Sequence, residues 1–170
     1  MKIFFTGMPG CGKSTFGRKV ARELGLDFID LDKEIIKAEQ IPITEIFESK
    51  GEDYFRKIES DILKNVSSSR DDFIMATGGG APCFFNNMDF MNEQGQTIFI
   101  DTPIEIILER LSSRGIEKRP LIKKMGEENL FQGLTVKLKN RLPFYRKAKI
   151  IFNYNISLET DIIRYFNSEL

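Results

Sequence analysis

The chain has 170 residues, contains no histidine at all, and has only two cysteines. Without histidine, any proton transfer must use a carboxylate, a lysine, a tyrosine or water. Cys11 and Cys83 lie far apart in the sequence and outside any Cys-x-x-Cys spacing. This spacing argues against a disulfide framework and against a zinc site.

The chain also has no net charge of either sign, because 25 lysines and arginines balance 25 aspartates and glutamates. No overall field therefore favours nucleic acid or an acidic membrane, and no basic stripe carries interleaved aromatics. The sequence has no stretch of nearly twenty apolar residues and no signal-peptide layout, and Met1-Lys2 runs straight into an apolar segment. We expect a single-domain, monomeric, cytoplasmic protein over residues 1–170, with no nucleic-acid or membrane partner.

A complete phosphate-binding loop occupies residues 7–14, Gly7-Met8-Pro9-Gly10-Cys11-Gly12-Lys13-Ser14. The apolar segment 2–6 predicts a buried strand before it, and residues 14–24 have helical spacing after it. The glycines let successive N–H groups point at a polyphosphate, and the helix adds its positive N-terminal end. A glycine-rich turn without a ligand is the alternative. The context favours a nucleoside triphosphate bound by Gly10, Cys11, Gly12, Lys13, Ser14 and Thr15, with Lys13 on the β/γ-phosphates and Ser14 on Mg²⁺.

Strand-like segments alternate with helical patterns along the rest of the chain. This alternation predicts an open parallel α/β sheet covered by helices on both faces. Ligands of such sheets bind outside the carboxyl ends of the strands, where the polar clusters of this sequence fall. The predicted strands are residues 2–6, 27–30, 72–77, 97–100 and 149–152. The predicted helices are residues 14–24, 33–38, 44–49, 53–66, a segment from Pro103, and a terminal helix with Ile156, Leu158, Ile162, Ile163 and Phe166.

Residues 112–129 break this pattern, because they are charged, contain two glycines and have little apolar periodicity. A mobile flap over the nucleotide and a solvated surface loop are both compatible with this composition. Arg119-Pro120 favours the flap, because phosphoryl transfer needs water to be excluded from the donor.

Two carboxylates, Asp30 and Asp32, follow the second predicted strand. A spacing of two makes them project differently, so one can serve a metal shell through water while the other faces the acceptor. The alternative is that either of them caps the helix that follows. Because the chain has no histidine, we favour Asp32 as the group that accepts the proton of the acceptor hydroxyl.

Two arginines are candidates for a two-pronged grip on a substrate carboxylate. Arg56 lies one helical turn from Glu59, which can orient it. The alternative is a solvent-exposed ion pair that contributes little to stability. Arg141 can supply a second grip of the same kind.

Three further features surround these candidates. Gly78-Gly79-Gly80 offers unblocked N–H groups to a closely approaching ligand. Phe47 and Phe55 either wall the acceptor pocket or belong to the core, and we see no cluster of base-stacking aromatics near the pocket. Cys11 is either an alkylation-sensitive thiol at a helix N-terminus or a small residue tolerated by the loop.

Together these motifs resemble the shikimate kinase family. The loop alone is shared by many nucleotide-binding proteins, whereas the whole series is much more specific. Residues 122–129 have no signature that matches the family. The matching segments cover nearly the whole chain in the family's order: Gly7 to Thr15, Asp30-Leu31-Asp32, Phe55-Arg56-Lys57-Ile58-Glu59, Gly78-Gly79-Gly80, Arg119-Pro120-Leu121 and Arg141-Leu142-Pro143-Phe144-Tyr145.

The resemblance implies a three-layer α/β/α sandwich with a parallel five-stranded sheet in the order 2-3-1-4-5, a P-loop kinase fold with a lid at about 112–129. It implies transfer of the ATP γ-phosphoryl to the 3-hydroxyl of shikimate, in aromatic amino-acid (chorismate) biosynthesis. Lys13, Asp32 and Arg119 would be catalytic, with Arg119 also on the phosphates and Arg110 against the adenine. Shikimate would contact Asp32, Arg56, Gly78, Gly79, Gly80 and Arg141. Mg²⁺ would be held by Ser14 and, through water, by Asp30.

Two other classes of function compete with this interpretation. A kinase for another hydroxyl compound, such as gluconate or a nucleoside monophosphate, would keep the same loop. A nucleotide-dependent binding or regulatory module would keep the fold without the chemistry. Against that module stand the intact residues Lys13, Ser14, Asp32, Arg56, Arg119 and Arg141.

Overall fold

A computed structural model describes residues 1–113, 129–154 and 158–169. Its parallel sheet has the strand order β2-β3-β1-β4-β5, which the family resemblance implied. β1 lies at the centre, where Phe4 is in register with Met75 of β3 and with Thr97 of β4. The strands are β1 (Lys2–Thr6), β2 (Phe28–Asp30), β3 (Phe73–Ala76), β4 (Gln96–Asp101) and β5 (Ile150–Asn153).

Helices connect the strands and cover both faces of the sheet. They are α1 (Lys13–Leu24), α2 (Leu31–Glu39), α3 (Ile43–Ser49), α4 (Gly51–Ser69), α5 (Asn87–Gln94), α6 (Ile104–Ser113), α7 (Leu130–Tyr145) and α8 (Leu158–Glu169). The predicted helices are confirmed, and α2 and α4 are longer than predicted at both ends. Three elements were not predicted from the sequence: α5, α7 and a short 3₁₀ turn at Ala81–Cys83. None of the described helices is long and apolar enough to cross a membrane.

The lid predicted at about 112–129 stays a prediction, and only its first two residues and its last residue are described. Residues 112 and 113 still belong to α6, and Asn129 is the N-cap residue of α7. Residues 114–128, including Arg119, lie outside the described residues, and so does Ile156.

Two apolar clusters form the core, one on each face of the sheet. Alternate residues of β1 divide between them, because successive side chains of a strand point to opposite faces. Ile3 and Phe5 pack in the cluster that α1, α6, α7 and α8 complete. Phe4 packs in the other cluster, with residues of α2 to α5. This arrangement leaves the carboxyl ends of β1, β2 and β3 open to a cleft.

Candidate functional site

The loops at the carboxyl ends of β1, β2 and β3 line one cleft, as the sequence predicts for a parallel sheet. The lining residues are Pro9, Gly10, Gly12, Lys13, Ser14, Thr15, Asp30, Asp32, Thr77, Gly78 and Gly79. The predicted phosphate loop, both aspartates and two of the three glycines therefore share one site.

Gly12 of the phosphate loop is the N-cap residue of α1 and has a φ angle of +110°. A side chain at this position would be strained, because this backbone region favours glycine. Nζ of Lys13 donates hydrogen bonds of 2.9 Å to the carbonyl oxygens of Gly7 and Met8. The ammonium group thus lies across the loop, where phosphate oxygens would be its natural partners.

Arg110 lies beside the same loop. Its Nη1 donates to the carbonyl oxygens of Gly10 and Cys11, at 3.3 and 3.0 Å, and its guanidinium lies 4.7 Å from the centre of the Tyr154 ring. With Gly10, Gly12, Thr15 and Phe16 it lines a second recess next to the phosphate cleft. Contact with adenine stays a prediction, and this recess is where we expect it.

Cys11 is fully buried in the core cluster beside β1. Its carbonyl oxygen also accepts a hydrogen bond of 3.1 Å from the Thr102 hydroxyl. A thiol without exposed surface is not available to an alkylating agent. The structure therefore favours the second interpretation of Cys11, a small residue packed under the loop.

Asp30 and Asp32 project differently, as predicted. Oδ2 of Asp30 accepts a hydrogen bond of 2.9 Å from the Ser14 hydroxyl. Asp32 lies in the first turn of α2, and its carboxylate faces Gly78, where an added Cβ would lie 3.3 Å from Oδ1. Asp30 is the N-cap residue of α2, but within the described part of the chain its side chain makes no capping hydrogen bond. The side chain of Asp30 therefore does not cap α2 within the described structure. Asp32 is the second residue of α2 and is not its N-cap residue.

Ser14 and Asp30 together fit a magnesium site of the kind that nucleotides complete. Among the described residues no group of three or more histidine, cysteine or acidic side chains could hold a metal ion alone. Mg²⁺ does not need such a group, because it is usually bound by one or two protein oxygens, several waters and substrate phosphates. The pair formed by the Ser14 hydroxyl and the Asp30 carboxylate supplies oxygens of this kind.

Arg56 and Glu59 form a buried ion pair, so the alternative of a solvent-exposed pair is wrong. Only 3% of Arg56 and 1% of Glu59 are exposed. Nη1 of Arg56 donates to Oε2 of Glu59 at 2.7 Å, and its Nε and Nη2 donate to Oε1 of Glu52 at 3.2 and 3.1 Å. Burial raises the pKa of Glu59 to about 7, against the opposing effect of the Arg56 charge. Glu52 was not among the predicted site residues, although its i,i+4 spacing to Arg56 is a signal for the contact.

At each of the three glycines of the loop after β3, the neighbouring atoms leave no room for a side chain. A Cβ atom at Gly80 would lie 2.5 Å from Nη1 of Arg56, and one at Gly79 would lie 2.7 Å from Cδ of Pro9. A Cβ atom at Gly78 would collide with Oε1 of Glu59. This loop therefore packs directly against the buried ion pair and against the phosphate loop.

Arg141 on α7 has a buried hydrogen-bond donor, its Nη1, without an acceptor among the described residues. The charge of Arg141, like that of Arg56, lowers the pKa of Glu59 against the effect of burial. The charges of the two guanidinium groups thus act on the same carboxyl group, that of Glu59.

Tyr145, one turn after Arg141, fixes this end of α7 to the site. Its hydroxyl donates a hydrogen bond to the carbonyl oxygen of Gly79, and its ring stacks on Phe99 with the ring centres 5.0 Å apart. From the sequence, Tyr145 was recognised only as part of a motif, and its contact with Gly79 was not predicted. A buried tyrosine needs a partner for its hydroxyl, which is the signal that was available.

Three aromatic rings surround the guanidinium of Arg56, and none of them is among the described residues that line the phosphate cleft. The rings of Phe84, Phe55 and Phe47 lie 4.7, 5.1 and 6.0 Å from Cζ of Arg56. Phe55 belongs to the core, and Phe47 contacts it with the ring centres 4.5 Å apart. The cluster is not visible in the sequence because its rings come from separate segments.

Comparison with known proteins shows the family of this chain. A model of the shikimate kinase family matches residues 9–170. The chain belongs to the shikimate kinase family. This family member is 39% identical to a shikimate kinase of Bacteroides fragilis over 152 residues, which are 89% of this chain and 84% of that protein.

Solved structures of the family superimpose on this member over its full length. A crystal structure of shikimate kinase from Bacteroides thetaiotaomicron has a TM-score of 0.89 at 34% identity and covers 100% of this chain and 99% of its own. Shikimate kinase from Acinetobacter baumannii, solved in complex with shikimate, has a TM-score of 0.88 at 34% identity, with 99% and 91% covered.

Proposed function

We propose that this member of the shikimate kinase family transfers the γ-phosphoryl group of ATP to the 3-hydroxyl of shikimate. The products are shikimate 3-phosphate and ADP, in a step of aromatic amino-acid biosynthesis through chorismate. Family membership and the shikimate complex of the Acinetobacter baumannii relative support this reaction. The proposal includes a single-domain monomer over residues 1–170, in the cytoplasm, with ATP and shikimate as its small-molecule partners.

One observation carries the assignment of the acceptor. Nη1 of Arg141 is buried without a hydrogen-bond partner among the described residues, and the charges of Arg141 and of the buried Arg56 both lower the pKa of Glu59. An unpaired buried donor is costly, and a carboxylate that accepts from two guanidinium groups removes that cost. Shikimate carries such a carboxylate on a ring with neighbouring hydroxyl groups. The neighbouring Gly78, Gly79 and Gly80 would contact the same acceptor.

Asp32 is placed to accept the proton of the reacting hydroxyl. As the acceptor oxygen forms its bond to the γ-phosphorus, the bond from that phosphorus to the β,γ-bridging oxygen breaks and ADP leaves. The hydroxyl proton passes to the Asp32 carboxylate, which lies on the same cleft as Lys13. Lys13 offsets the negative charge on the transferred group, and we propose that Arg119 adds to this charge from the segment outside the described residues.

Ser14 and Asp30 are the residues that would hold Mg²⁺, Asp30 through water. When bound, the ion neutralises charge on the phosphate oxygens. Arg110 would contribute to the nucleotide side by contact with the adenine, next to Gly10, Cys11, Gly12 and Thr15. The hydrogen bonds from Arg110 to the carbonyl oxygens of Gly10 and Cys11 hold it there.

A coupled ADP-release assay tests the proposal. Purified protein with ATP and Mg²⁺ is offered shikimate, D-gluconate and a nucleoside monophosphate separately, and ³¹P NMR identifies the phosphorylated product. We expect ADP release that depends on shikimate and a single product phosphorylated at the 3-hydroxyl. Turnover with gluconate and none with shikimate would overturn the acceptor assignment. ATP binding without turnover of any acceptor would support the regulatory module instead. Lys13→Met serves as the control that removes transfer.

A further inference from the structure

The loop after the three glycines has an unusual backbone beside the acceptor site. Phe85 and Asn86 follow one another with φ angles of +50° and +55°. Asparagine adopts this left-handed region readily, whereas a bulky residue such as phenylalanine is strained there. Strain of this kind persists where the surroundings over-determine the conformation.

A buried asparagine holds this loop in place. The Nδ2 group of Asn87 donates to the carbonyl oxygen of Ala81 at 3.0 Å, and Oδ1 accepts from the Ser60 hydroxyl at 2.7 Å. Ser60 lies one turn after Arg56 on α4, and Asn87 and Ser60 are both buried. The backbone N–H of Asn87 also donates to the carbonyl oxygen of Phe84 at 2.9 Å. The loop is thus anchored to the same helix that carries Arg56.

This anchoring places the Phe84 ring over the guanidinium of Arg56. The distance of 4.7 Å from Cζ to the ring centre is shorter than those of Phe55 and Phe47. Phe84 is 37% exposed, whereas Phe55 is 4% exposed and packs in the core. Of these three rings, Phe84 therefore combines the shortest distance to Arg56 with a surface open to solvent.

We infer that Phe84 is a specificity-determining residue, which holds the Arg56 guanidinium with one part of its ring and presents an apolar surface to the carbon ring of the acceptor. This inference rests on the proposed function. A cation over an aromatic face is attracted by the ring, and more strongly where water is excluded. An open-chain polyhydroxy acid would leave hydroxyl groups against the apolar surface without partners.

Kinetic constants of three variants test the inference. Phe84→Ala should raise the KM for shikimate about ten-fold, which corresponds to about 1.4 kcal/mol, while kcat and the KM for ATP stay within two-fold. Phe84→Leu keeps apolar bulk without an aromatic face and should fall between Phe84→Ala and the unchanged protein. Phe85→Ala is the matched control, because this neighbouring ring is 51% exposed and should leave all three constants within two-fold.

The outcomes separate this inference from the proposed function. If the unchanged protein turns over shikimate and Phe84→Ala keeps the same KM for it, Phe84 does not determine specificity. If Phe84→Ala and Phe85→Ala raise that KM equally, the effect belongs to the loop fold, and the inference is again wrong. If the unchanged protein releases no ADP with shikimate, the proposed function fails and this inference fails with it.

Discussion

Oε2 of Glu59 accepts a 2.7 Å hydrogen bond from Nη1 of Arg56 in a place that solvent hardly reaches. Such a pair adds little net stability compared with apolar packing, because both charges lose their hydration. The pair instead fixes the orientation of the Arg56 guanidinium, because the Glu59 carboxylate binds one edge of the guanidinium and the Phe84 ring covers the guanidinium face. We propose that this orientation prepares Arg56 to bind the acceptor carboxylate.

The pH dependence of stability should report the burial of Glu59. Its pKa is about 7 in the folded protein and 4.5 as the ordinary value. Between these pH values the folded state binds more protons than the unfolded state, so the free energy of unfolding falls as pH rises. Relative to Glu59→Gln, which cannot titrate, the unchanged protein should lose about 3 kcal/mol at most from pH 4.5 to above 7. Urea unfolding of both proteins across this range measures the difference, and a difference independent of pH would contradict the shift.

Gly80→Ala should damage acceptor binding through Arg56. Gly80 has a φ angle of −95°, which alanine adopts without strain, and the three atoms nearest to the new methyl group all belong to the guanidinium of Arg56. We expect the KM for shikimate to rise about ten-fold or more while the KM for ATP changes little. The measurement is initial velocity with each substrate varied in turn.

The double variant Gly80→Ala with Arg56→Ala identifies the cause. Arg56→Ala alone should raise the KM for shikimate far more than the KM for ATP, because it removes a grip on the carboxylate. Once the guanidinium is gone, the methyl group at residue 80 has nothing to displace, so it should add no further loss. Additive effects of the two changes would mean that Gly80 acts by another route.

Asp32→Asn should lower kcat by about 100-fold or more, because a positioned general base contributes that much. The amide keeps the size of the side chain and cannot accept the hydroxyl proton. Asp61→Asn is a suitable control, since Asp61 is an exposed carboxylate on α4 that pairs with Lys57 at 3.0 Å. Turnover of Asp32→Asn at the level of this control would remove Asp32 from the role of base.

Asp30→Asn should raise the Mg²⁺ concentration needed for half-maximal activity. Asp30 accepts the 2.9 Å hydrogen bond from the Ser14 hydroxyl, and an amide binds a hard cation and its waters less strongly than a carboxylate does. The expected change is about ten-fold, the size typical of lost second-shell partners of a metal. Titration of activity with Mg²⁺ at fixed ATP measures it, and an identical titration curve would argue against the proposed metal site.

The fold could be predicted closely because its signals are local. Apolar runs located all five strands to within a residue or two, and α1 was expected from 14 and begins at Lys13. The strand order came from the family resemblance. α7 was missed because Gly133 and Pro143 interrupt its pattern and because Phe131 and Val136 face solvent at 48% and 57% exposure. Its packing, and not its periodicity, makes it a helix.

The sequence indicated candidate residues of the site, but it did not show how deeply they are buried or which residues surround them. The i,i+3 spacing of Arg56 and Glu59 indicated that the two side chains can form a pair, but it cannot show whether the pair lies at the surface or in the interior. Their burial depends on the glycine loop and on Phe84, which are remote in sequence. The contact between Tyr145 and Gly79 was not predicted either, because these two residues are also remote in sequence. Roles that need a bound ligand, such as that of Arg110, stay predictions.

The contact between Pro9 and Gly79 limits how the active site can be re-engineered. Because a single added methyl group at Gly79 would lie 2.7 Å from the proline ring, the phosphate loop and the loop after β3 are already in contact. Bulkier alcohols cannot gain room between them. Variant libraries for new acceptors should therefore be directed away from this junction, at residue 84 and along α7.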